Sequence, residues 1–395
     1  MPAPDPLLAA ARDLLPDAVA LRRRLHRNPE LGLQLPETQA AVLEALEGLD
    51  LEIATGGSTS AVVATLHGAQ PGSTLLLRAD MDALPLREET GLEFASARDG
   101  AMHACGHDAH TAMLVGAARL LAERRAELRG SVKFLFQPGE EGFGGARVLI
   151  QEGLLDATPR VDAAFAIHVN PTLPPGQVAL RPGALLAAGD VFSIELEGRG
   201  GHASQPHQTL DPIPVACEIV TALQALVTRR MHAFDPVVLS VTKIASGSTH
   251  NIIPDSAQII GTIRTVSAPS RQRVHEKMEK LVQGIASAHE MEGKLHVVRG
   301  YPVTLNDAGF TDFVRETASG LLGEGAVVDL EAPIMGSEDF SYILERVPGA
   351  MVFLGAQVGD PHPHGLHSSR MVLDEAEMAS GIALHGAVAL RYLAG

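Results

Sequence analysis

The stretch 103–111, HACGHDAHT, holds three histidines, an aspartate and one of the chain's two cysteines. Two adjacent glutamates, Glu140 and Glu141, stand in FQPGEEG, and His168 and His367 follow later in the chain. Thiolate, imidazole and carboxylate are the ligands of a borderline transition metal such as zinc. Adjacent glutamates suit metal-dependent hydrolysis, because one can bind metal while its neighbour moves a proton. The residue types therefore predict a catalytic metal site with enough donors for two ions.

Each of these groups also has a plainer interpretation. Cys105 alone is a candidate core thiol, a glutamate pair can favour a helix N-terminus, and a single histidine in a loop needs no ligand. A rival enzymatic hypothesis makes Cys105 a thiolate nucleophile beside His107, activated by the start of a helix. That hypothesis leaves Glu140 and Glu141 without a role. Their joint placement at strand ends favours the metal site.

The elements that must position these residues are three apolar, strand-like runs. STLLLRADMDALP carries Asp80 and Asp82 after its apolar run, SVKFLFQPGEEG carries the glutamate pair there, and VDAAFAIHV carries His168. Alternation of such runs with helical segments predicts an α/β fold, and open α/β sheets bind ligands at the carboxyl ends of their strands. Between the first two runs, AHTAMLVGAARLLAERRAEL has helical spacing, with Asp108 or Thr111 placed to cap its start. Asp82 is either a turn residue or a support for a ligand histidine.

The element order changes between residues 183 and 296. Strand, helix, two strands, helix and strand follow one another there, which is the ferredoxin-like α+β arrangement. We therefore predict an inserted domain at 183–296, with residues 1–182 and 297–395 forming the two parts of one catalytic domain. A prior of ~150 residues per domain agrees with more than one domain in 395 residues.

The composition excludes several classes of protein. Apolar residues make up 46% and charged residues 20%, which is typical of a folded globular chain. A formal net charge of −16 excludes nucleic acid and anionic membrane as expected partners. The two cysteines predict no disulfide framework, and the N-terminus carries acids where a signal peptide needs basic residues. Because no apolar stretch approaches ~18 residues, we expect a soluble cytoplasmic protein.

Nine motifs in family order resemble the amidohydrolase branch of the dinuclear metallopeptidase superfamily, which includes aminoacylases, hippurate hydrolases and indole-acetyl-amino-acid hydrolases. The motifs cover about residues 20 to 385 and are RADMDALP, HACGHDAHT, FQPGEEG, AIHV, GRGGHASQPH, NIIPD, GTIRT, MGSEDFS and LHSS. The resemblance implies an α/β, zinc-peptidase-like catalytic domain with a mixed sheet and helices on both faces. It also implies that the inserted ferredoxin-like domain is a lid or dimerisation domain.

The resemblance assigns roles to the residues of the predicted metal site. It implies two divalent ions per subunit, of Zn, Mn, Co or Ni, bound by Cys105, His107, Glu141, His168 and His367. Glu140 would be the general base and acid, and Asp82 would lie behind a ligand. The wider superfamily has histidine where this chain has Asp80, and a bridging aspartate whose role the Cys105 thiolate takes over in this branch. No role follows for Asp80, His103 or His110.

The resemblance also assigns roles in the inserted domain. His202 matches a histidine that reaches the active site of a neighbouring subunit and stabilises the developing oxyanion, which implies a homodimer or homotetramer. Asn251 and Arg264 match substrate-binding positions, and an arginine suits a substrate carboxylate. The plainer alternatives are a turn histidine and an arginine on a solvated face.

The expected reaction is hydrolysis of an N-acyl-L-amino acid to a carboxylate and a free amino acid. A metal-dependent dipeptidase or carboxypeptidase is the alternative with the same chemistry, followed by the cysteine-nucleophile hydrolase. A protein that only binds amino acids or peptides would be expected to lack the glutamate pair or several ligands. The acyl group and the preferred amino acid cannot be read from these motifs.

Overall fold

A computed structural model describes residues 5–359 and 364–394; residues 1–4, 360–363 and 395, which the predicted domain ranges include, lie outside the described part. The helices are α1 Pro6–Arg27, α2 Pro36–Ala45, α3 His107–Ala122, α4 Gly145–Gln151, α5 Pro212–Arg230, α6 Ala268–Ala288, α7 Ala308–Leu322, α8 Ser341–Leu344 and α9 Met378–Tyr392. The strands are β1 Glu52–Thr55, β2 Val62–His67, β3 Gln70–Asp80, β4 Arg129–Gln137, β5 Ala163–Asn170, β6 Val178–Leu180, β7 Gly183–Leu186, β8 Ala188–Glu197, β9 Gly201–His202, β10 Val237–Ser246, β11 Ile252–Ile253, β12 Ser256–Thr265, β13 Glu292–Arg299, β14 Thr304–Asn306, β15 Val327–Asp329 and β16 Gly349–Gly355.

The larger of two compact units is built on an eight-stranded sheet. This unit runs to Leu185, includes Leu305–Ala332 and resumes at Tyr342. The strand order is β1-β2-β4-β3-β5-β16-β6-β15. Strand β3 is parallel to β4 and β5, whereas β2 is antiparallel to both of its neighbours, β1 and β4. Helices α1, α3 and α9 pack on one another. This mixed sheet with its helices confirms the predicted α/β class.

The central strands are long apolar runs because they are covered on both faces. All residues of β4 after Arg129 are buried, as is every residue of β5 before Asn170. Strands buried on both faces show continuous apolar runs and not an alternating pattern. That continuity is the signal that identified these strands in the sequence.

The second compact unit comprises Leu186–Thr304 and Pro333–Ser341. Its four-stranded sheet has the order β10-β12-β8-β13 and is antiparallel throughout, and α5 and α6 follow β8 and β12. This strand order and element order are those of a ferredoxin-like domain. Alternate residues of β8 are buried, so one face of this sheet forms a core with the two helices. The sequence predicts this domain over residues 183–296.

Among the described residues, no helix is both long enough and apolar enough to cross a membrane.

Candidate metal centre

The candidate metal centre is built at the carboxyl ends of three neighbouring strands. Strand β3 ends at Asp80, which lies beside Gln137, the last residue of its parallel neighbour β4. The glutamate pair follows β4 after two residues, and His168 lies near the end of β5. Because these strands are parallel neighbours in one sheet, the loops that leave them share one edge.

Cys105 and His107 are separated by a glycine whose backbone only glycine adopts easily. Gly106 has φ of 87°, in the left-handed region, and immediately precedes α3. A Cβ at this position would lie 2.4 Å from Cγ2 of Val169. The glycine therefore lets the chain turn sharply into α3 while strand β5 passes close by.

The predicted capping of α3 was wrong. Gly106 is the N-cap residue and provides no side-chain cap. Asp108 instead accepts hydrogen bonds from Arg22 and His26, and the Thr111 hydroxyl donates to the carbonyl oxygen of Asp80 at 3.0 Å. The first turn of α3 is therefore held by residues distant in sequence.

The structure brings the five predicted ligands together in overlapping groups. Donor atoms within 4.8 Å of one another come from the sets Cys105, His107 and His168; Cys105, Glu141 and His367; and His107, Glu140 and Glu141. Cys105 Sγ lies 3.4 Å from His168 Nε2, and His367 Nε2 lies 3.3 Å from Glu141 Oε1. Cys105 and His107 each belong to two of these sets, so the three groups form one continuous cluster of donors.

The hydrogen bonds of the histidines leave donor atoms available for metal. His107 Nδ1 donates to the carbonyl oxygen of Asp82 at 2.8 Å, and His168 Nδ1 donates to that of Val169 at 2.7 Å. A carbonyl can only accept, so in the neutral form of each ring Nε2 carries the lone pair that a metal can bind. His107 Nε2 is buried and makes no hydrogen bond within the part of the chain that the structure describes. Such atoms are costly unless a ligand satisfies them, so the residues fit a bound metal.

Burial and neighbouring charges set the protonation of this group. Burial raises the pKa of the Cys105 thiol above its usual range. Burial also acts against a charged His107, yet the attraction of Asp80 and Cys105 raises the pKa of that imidazole well above normal. A raised thiol pKa disfavours a free thiolate, so Cys105 does not meet the condition that a cysteine nucleophile requires.

Asp82 holds the loop that carries the glutamate pair. Its two carboxylate oxygens accept the backbone N–H groups of Glu140 at 2.9 Å and Glu141 at 3.0 Å, while its carbonyl orients His107. Asp82 is fully buried. One residue thus fixes both glutamates and a candidate ligand. The contacts to the glutamates were not expected from the sequence, because they join positions about sixty residues apart.

Asp80 and His110 form a support beside His168. Asp80 accepts from His110 Nδ1 at 2.6 Å and from Arg78 at 2.5 Å, and His110 Nε2 accepts from the N–H of Val169 at 2.8 Å. Burial opposes the charge on Asp80, but Arg78 and the histidines keep its pKa well below the usual range. Both ring nitrogens of His110 are used inside the protein, which leaves neither for metal.

The remaining predicted site residues lie in the second unit. His202 on β9 accepts from the Ser204 hydroxyl through Nδ1 at 2.8 Å, and it lies beside Asn251, which directly precedes β11, the strand paired with β9. Arg264 on β12 donates to Ser337 Oγ at 3.0 Å. It lies opposite Gly189, where a Cβ would stand only 2.3 Å from the guanidinium. His202 and Asn251 are exposed and thus accessible to a ligand.

Fold and donor set together define a metal-dependent hydrolase. The chain belongs to peptidase family M20/M25/M40, whose model matches residues 76–391. This confirms the resemblance that the motifs indicated.

Curated relatives match most of the length of the chain but differ in the reactions that their names describe. The chain is 38% identical to thermostable carboxypeptidase 2 of Saccharolobus solfataricus over 95% of both chains. It is 40% identical to N-acetylcysteine deacetylase of Bacillus subtilis over 85% of this chain and 87% of the relative. It is 38% identical to IAA-amino acid hydrolase ILR1-like 4 of Arabidopsis thaliana over 98% and 88%. Hydrolysis of an amide bond is common to these names.

A solved structure of a member of this family is similar over most of both chains. The YXEP protein of Bacillus subtilis, described as a dinuclear metal binding peptidase from the M20 family, has a TM-score of 0.84 at 35% identity. The match covers 96% of this chain and 99% of that one.

Proposed function

We propose that the protein is a metal-dependent amidohydrolase that cleaves N-acyl-L-amino acids to a carboxylate and a free amino acid. The observation that carries this proposal is the pair Glu140 and Glu141, oriented by Asp82 beside a donor group that includes Cys105 and His107. The deacetylase and IAA-amino acid hydrolase relatives support an acyl amide as substrate. The carboxypeptidase relative favours the second candidate, a peptidase acting on short peptides.

Two divalent ions, of Zn, Mn, Co or Ni, would supply water activation and polarisation of the amide carbonyl when bound. In this proposal their ligands are Cys105, His107, Glu141, His168 and His367.

Glu140 moves the proton of the reaction. Its carboxylate accepts a proton from the attacking water, whose oxygen bonds to the carbonyl carbon. The same carboxyl then gives that proton to the amide nitrogen as the C–N bond breaks, so the amine departs neutral. Asp82 contributes by holding the Glu140 backbone, which keeps the carboxylate in one place through both transfers.

Residues of the second unit would bind the substrate. We propose that His202 donates a hydrogen bond to the carbonyl oxygen as negative charge develops there, and that it acts on the active site of the partner in a homodimer or homotetramer. Asn251 and Arg264 would hold the substrate carboxylate, for which the planar guanidinium offers two donors. The exposure of His202 and Asn251 supports a contact with a ligand.

Substitution Glu140→Gln tests the general base. The variant should keep wild-type metal content by elemental analysis and lose ~10²–10⁴-fold in kcat, the usual contribution of a positioned acid-base group. Glu47→Gln, at an exposed glutamate, is the matched control and should keep full turnover. Near-normal turnover in Glu140→Gln would overturn the assignment.

A substrate panel separates the two candidate functions. N-acetyl, N-benzoyl and indole-acetyl amino acids are compared with dipeptides, using enzyme stripped by a chelator and reloaded with Zn²⁺, Mn²⁺ or Co²⁺. Higher kcat/KM for the acyl amino acids supports the proposal, and higher values for dipeptides support the peptidase. Full activity in the stripped enzyme would instead favour a cysteine nucleophile. Cys217→Ser removes the exposed thiol, so that thiol reagents then report on Cys105 alone.

A further inference from the structure

The carboxylate next to His107 in the sequence is held from the N-terminal helix. Asp108 is fully buried, and its Oδ2 accepts from Arg22 Nε at 3.1 Å and from His26 Nδ1 at 2.8 Å. Arg22 and His26 lie one turn apart on α1, which packs against α3. Arg22 and His26, which are more than eighty positions away in the sequence, therefore hold the first turn of the helix that begins at His107.

The side chains of Arg22 and His26 each bind a second carboxylate in addition to Asp108. Arg22 Nη1 lies 2.9 Å from Glu375, and His26 Nε2 lies 3.2 Å from Glu88. Glu88 is in turn held by the N–H of Ser96 at 2.7 Å. Arg22 and His26 are 2% and 1% exposed, so neither has room to adopt another rotamer. The contact to Asp108 is thus made by rigid groups.

Stability alone does not account for such a network. Removing several charges from water is expensive, and a buried ion network is often no more stable than apolar residues of the same volume. What the contacts show directly is that the network gives one carboxylate, that of Asp108, a fixed position.

The fixed position of Asp108 matters because the local backbone does little to fix the conformation of the first turn of α3. The first turn of α3 has no side-chain cap, and it follows Gly106, the residue with the greatest conformational freedom. Cys105 and His107, two of the proposed ligands, flank this glycine. Metal affinity depends on how well the ligands are oriented before the ion arrives. The contacts of Arg22 and His26 to Asp108, called the clamp below, set the direction of the turn and with it the direction of both donors.

We propose that Arg22 and His26 are positioning residues of the metal centre, which act through Asp108 to orient the turn that carries Cys105 and His107. The inference rests on the proposed metal site. It differs from a purely structural role of α1, in which loss of the clamp would lower stability without changing how the folded protein binds metal.

Arg22→Met tests the clamp, because methionine keeps the aliphatic volume and removes the guanidinium. The matched control is Arg23→Met: Arg23 also binds Glu375, at 2.6 Å, but is 48% exposed, and its guanidinium bonds Glu375 and not Asp108. Affinity for Zn²⁺ is measured by competition with a chromogenic chelator, and the visible spectrum of the Co²⁺-loaded protein reports thiolate ligation. We expect Arg22→Met to bind ~10–100-fold more weakly, with an altered cobalt–thiolate band, and Arg23→Met to match wild type.

A double variant separates positioning from folding. Arg22→Met combined with Asp108→Asn removes the buried charges of Arg22 and Asp108 together and leaves His26 paired with Glu88, so its stability in urea should recover relative to Arg22→Met while its metal affinity stays low. This variant and Arg22→Lys, which keeps the charge without the planar fork, carry the comparison if Arg22→Met does not fold. His26→Asn keeps a donor at the Nδ1 position and should retain more affinity than His26→Leu.

Three outcomes overturn the inference. Wild-type affinity and an unchanged cobalt spectrum in Arg22→Met would do so directly. Recovery of stability and affinity in parallel in the double variant would show that Arg22 acts only through folding. A wild-type protein that binds no Zn²⁺ or Co²⁺ would instead remove the proposed metal centre itself, and the clamp's role with it.

Discussion

His26 should make the stability of the protein fall as the pH rises. Its imidazole lies between Asp108 on α3 and Glu88 in the loop after β3, with Arg22 on its own helix and the ring of His103 nearby. Burial acts against the charged form, but the attraction and hydrogen bonds of the two carboxylates outweigh it and raise the pKa of His26 to about 9. Burial holds the pKa of His103 at about 3, so that ring stays neutral throughout.

The size of the effect follows from the two pKa values of His26. The unfolded value is about 6.5, so the stabilisation is complete below that pH and is lost as the pH rises through about 9. A difference of ~2.5 units at ~1.4 kcal/mol per unit corresponds to about 3 kcal/mol of unfolding free energy. This amount is a large fraction of the stability of a typical domain.

The assay compares wild type with His26→Asn, which cannot carry the charge. Urea unfolding of both proteins at equal metal content, in steps from pH 6 to pH 10, should show their free-energy difference shrinking by about 3 kcal/mol. His67→Asn is the control, because His67 pairs with Glu52 at the surface and an exposed pair contributes ~1 kcal/mol or less. A difference between wild type and His26→Asn that stays constant or grows with pH would refute the reasoning.

Three further predictions concern single positions. Gly106→Ala should destabilise by about 1–3 kcal/mol more than Gly48→Ala in urea unfolding, because both glycines have positive φ but Gly48 has no heavy atom within 4 Å of an added Cβ. Asp82→Asn should lower kcat ~10–100-fold, since one amide oxygen replaces two carboxylate oxygens; unchanged turnover would contradict its role in holding the glutamates. Asp190→Asn should lose less stability than wild type in acid unfolding between pH 4 and pH 2. Burial opposes the charge of Asp190, but His275 and Arg271 hold the pKa of that carboxyl at about 2, so its contribution is lost as the pH falls through that value.

The parts of the structure that local sequence encodes were predictable. Strands β3, β4 and β5 contain apolar runs with ionisable residues at or just after their carboxyl ends, and such a boundary is visible within a dozen positions. The rule that parallel strands present their carboxyl ends at one edge then brought the groups after them together, from Asp80 to His168. The ferredoxin-like order between residues 183 and 296 was visible for the same reason, because the spacing of apolar residues differs between its strands and its helices. The family match then confirmed the resemblance that the motifs indicated.

The parts that depend on contacts distant in sequence were not predictable. Asp108 has the residue type and position of a helix cap, and only the packing of α1 shows that it is held by Arg22 and His26. The contacts of Asp82 to the glutamate loop cross 58 and 59 residues. The segment Pro333–Ser341, which belongs to the second unit, stands after 28 residues of the first. Side-chain partners over such separations leave no periodic pattern in a single sequence.

The two cysteines show why residue type alone could not decide between a ligand and a nucleophile. Cys217 is exposed on α5, whereas Cys105 is buried, and burial raises the pKa of the Cys105 thiol. A nucleophile needs the opposite, an accessible thiol with a lowered pKa. A metal ligand needs no access for substrate, because the ion itself displaces the proton and stabilises the thiolate. The burial that makes Cys105 a poor nucleophile is therefore compatible with its proposed role as a metal ligand.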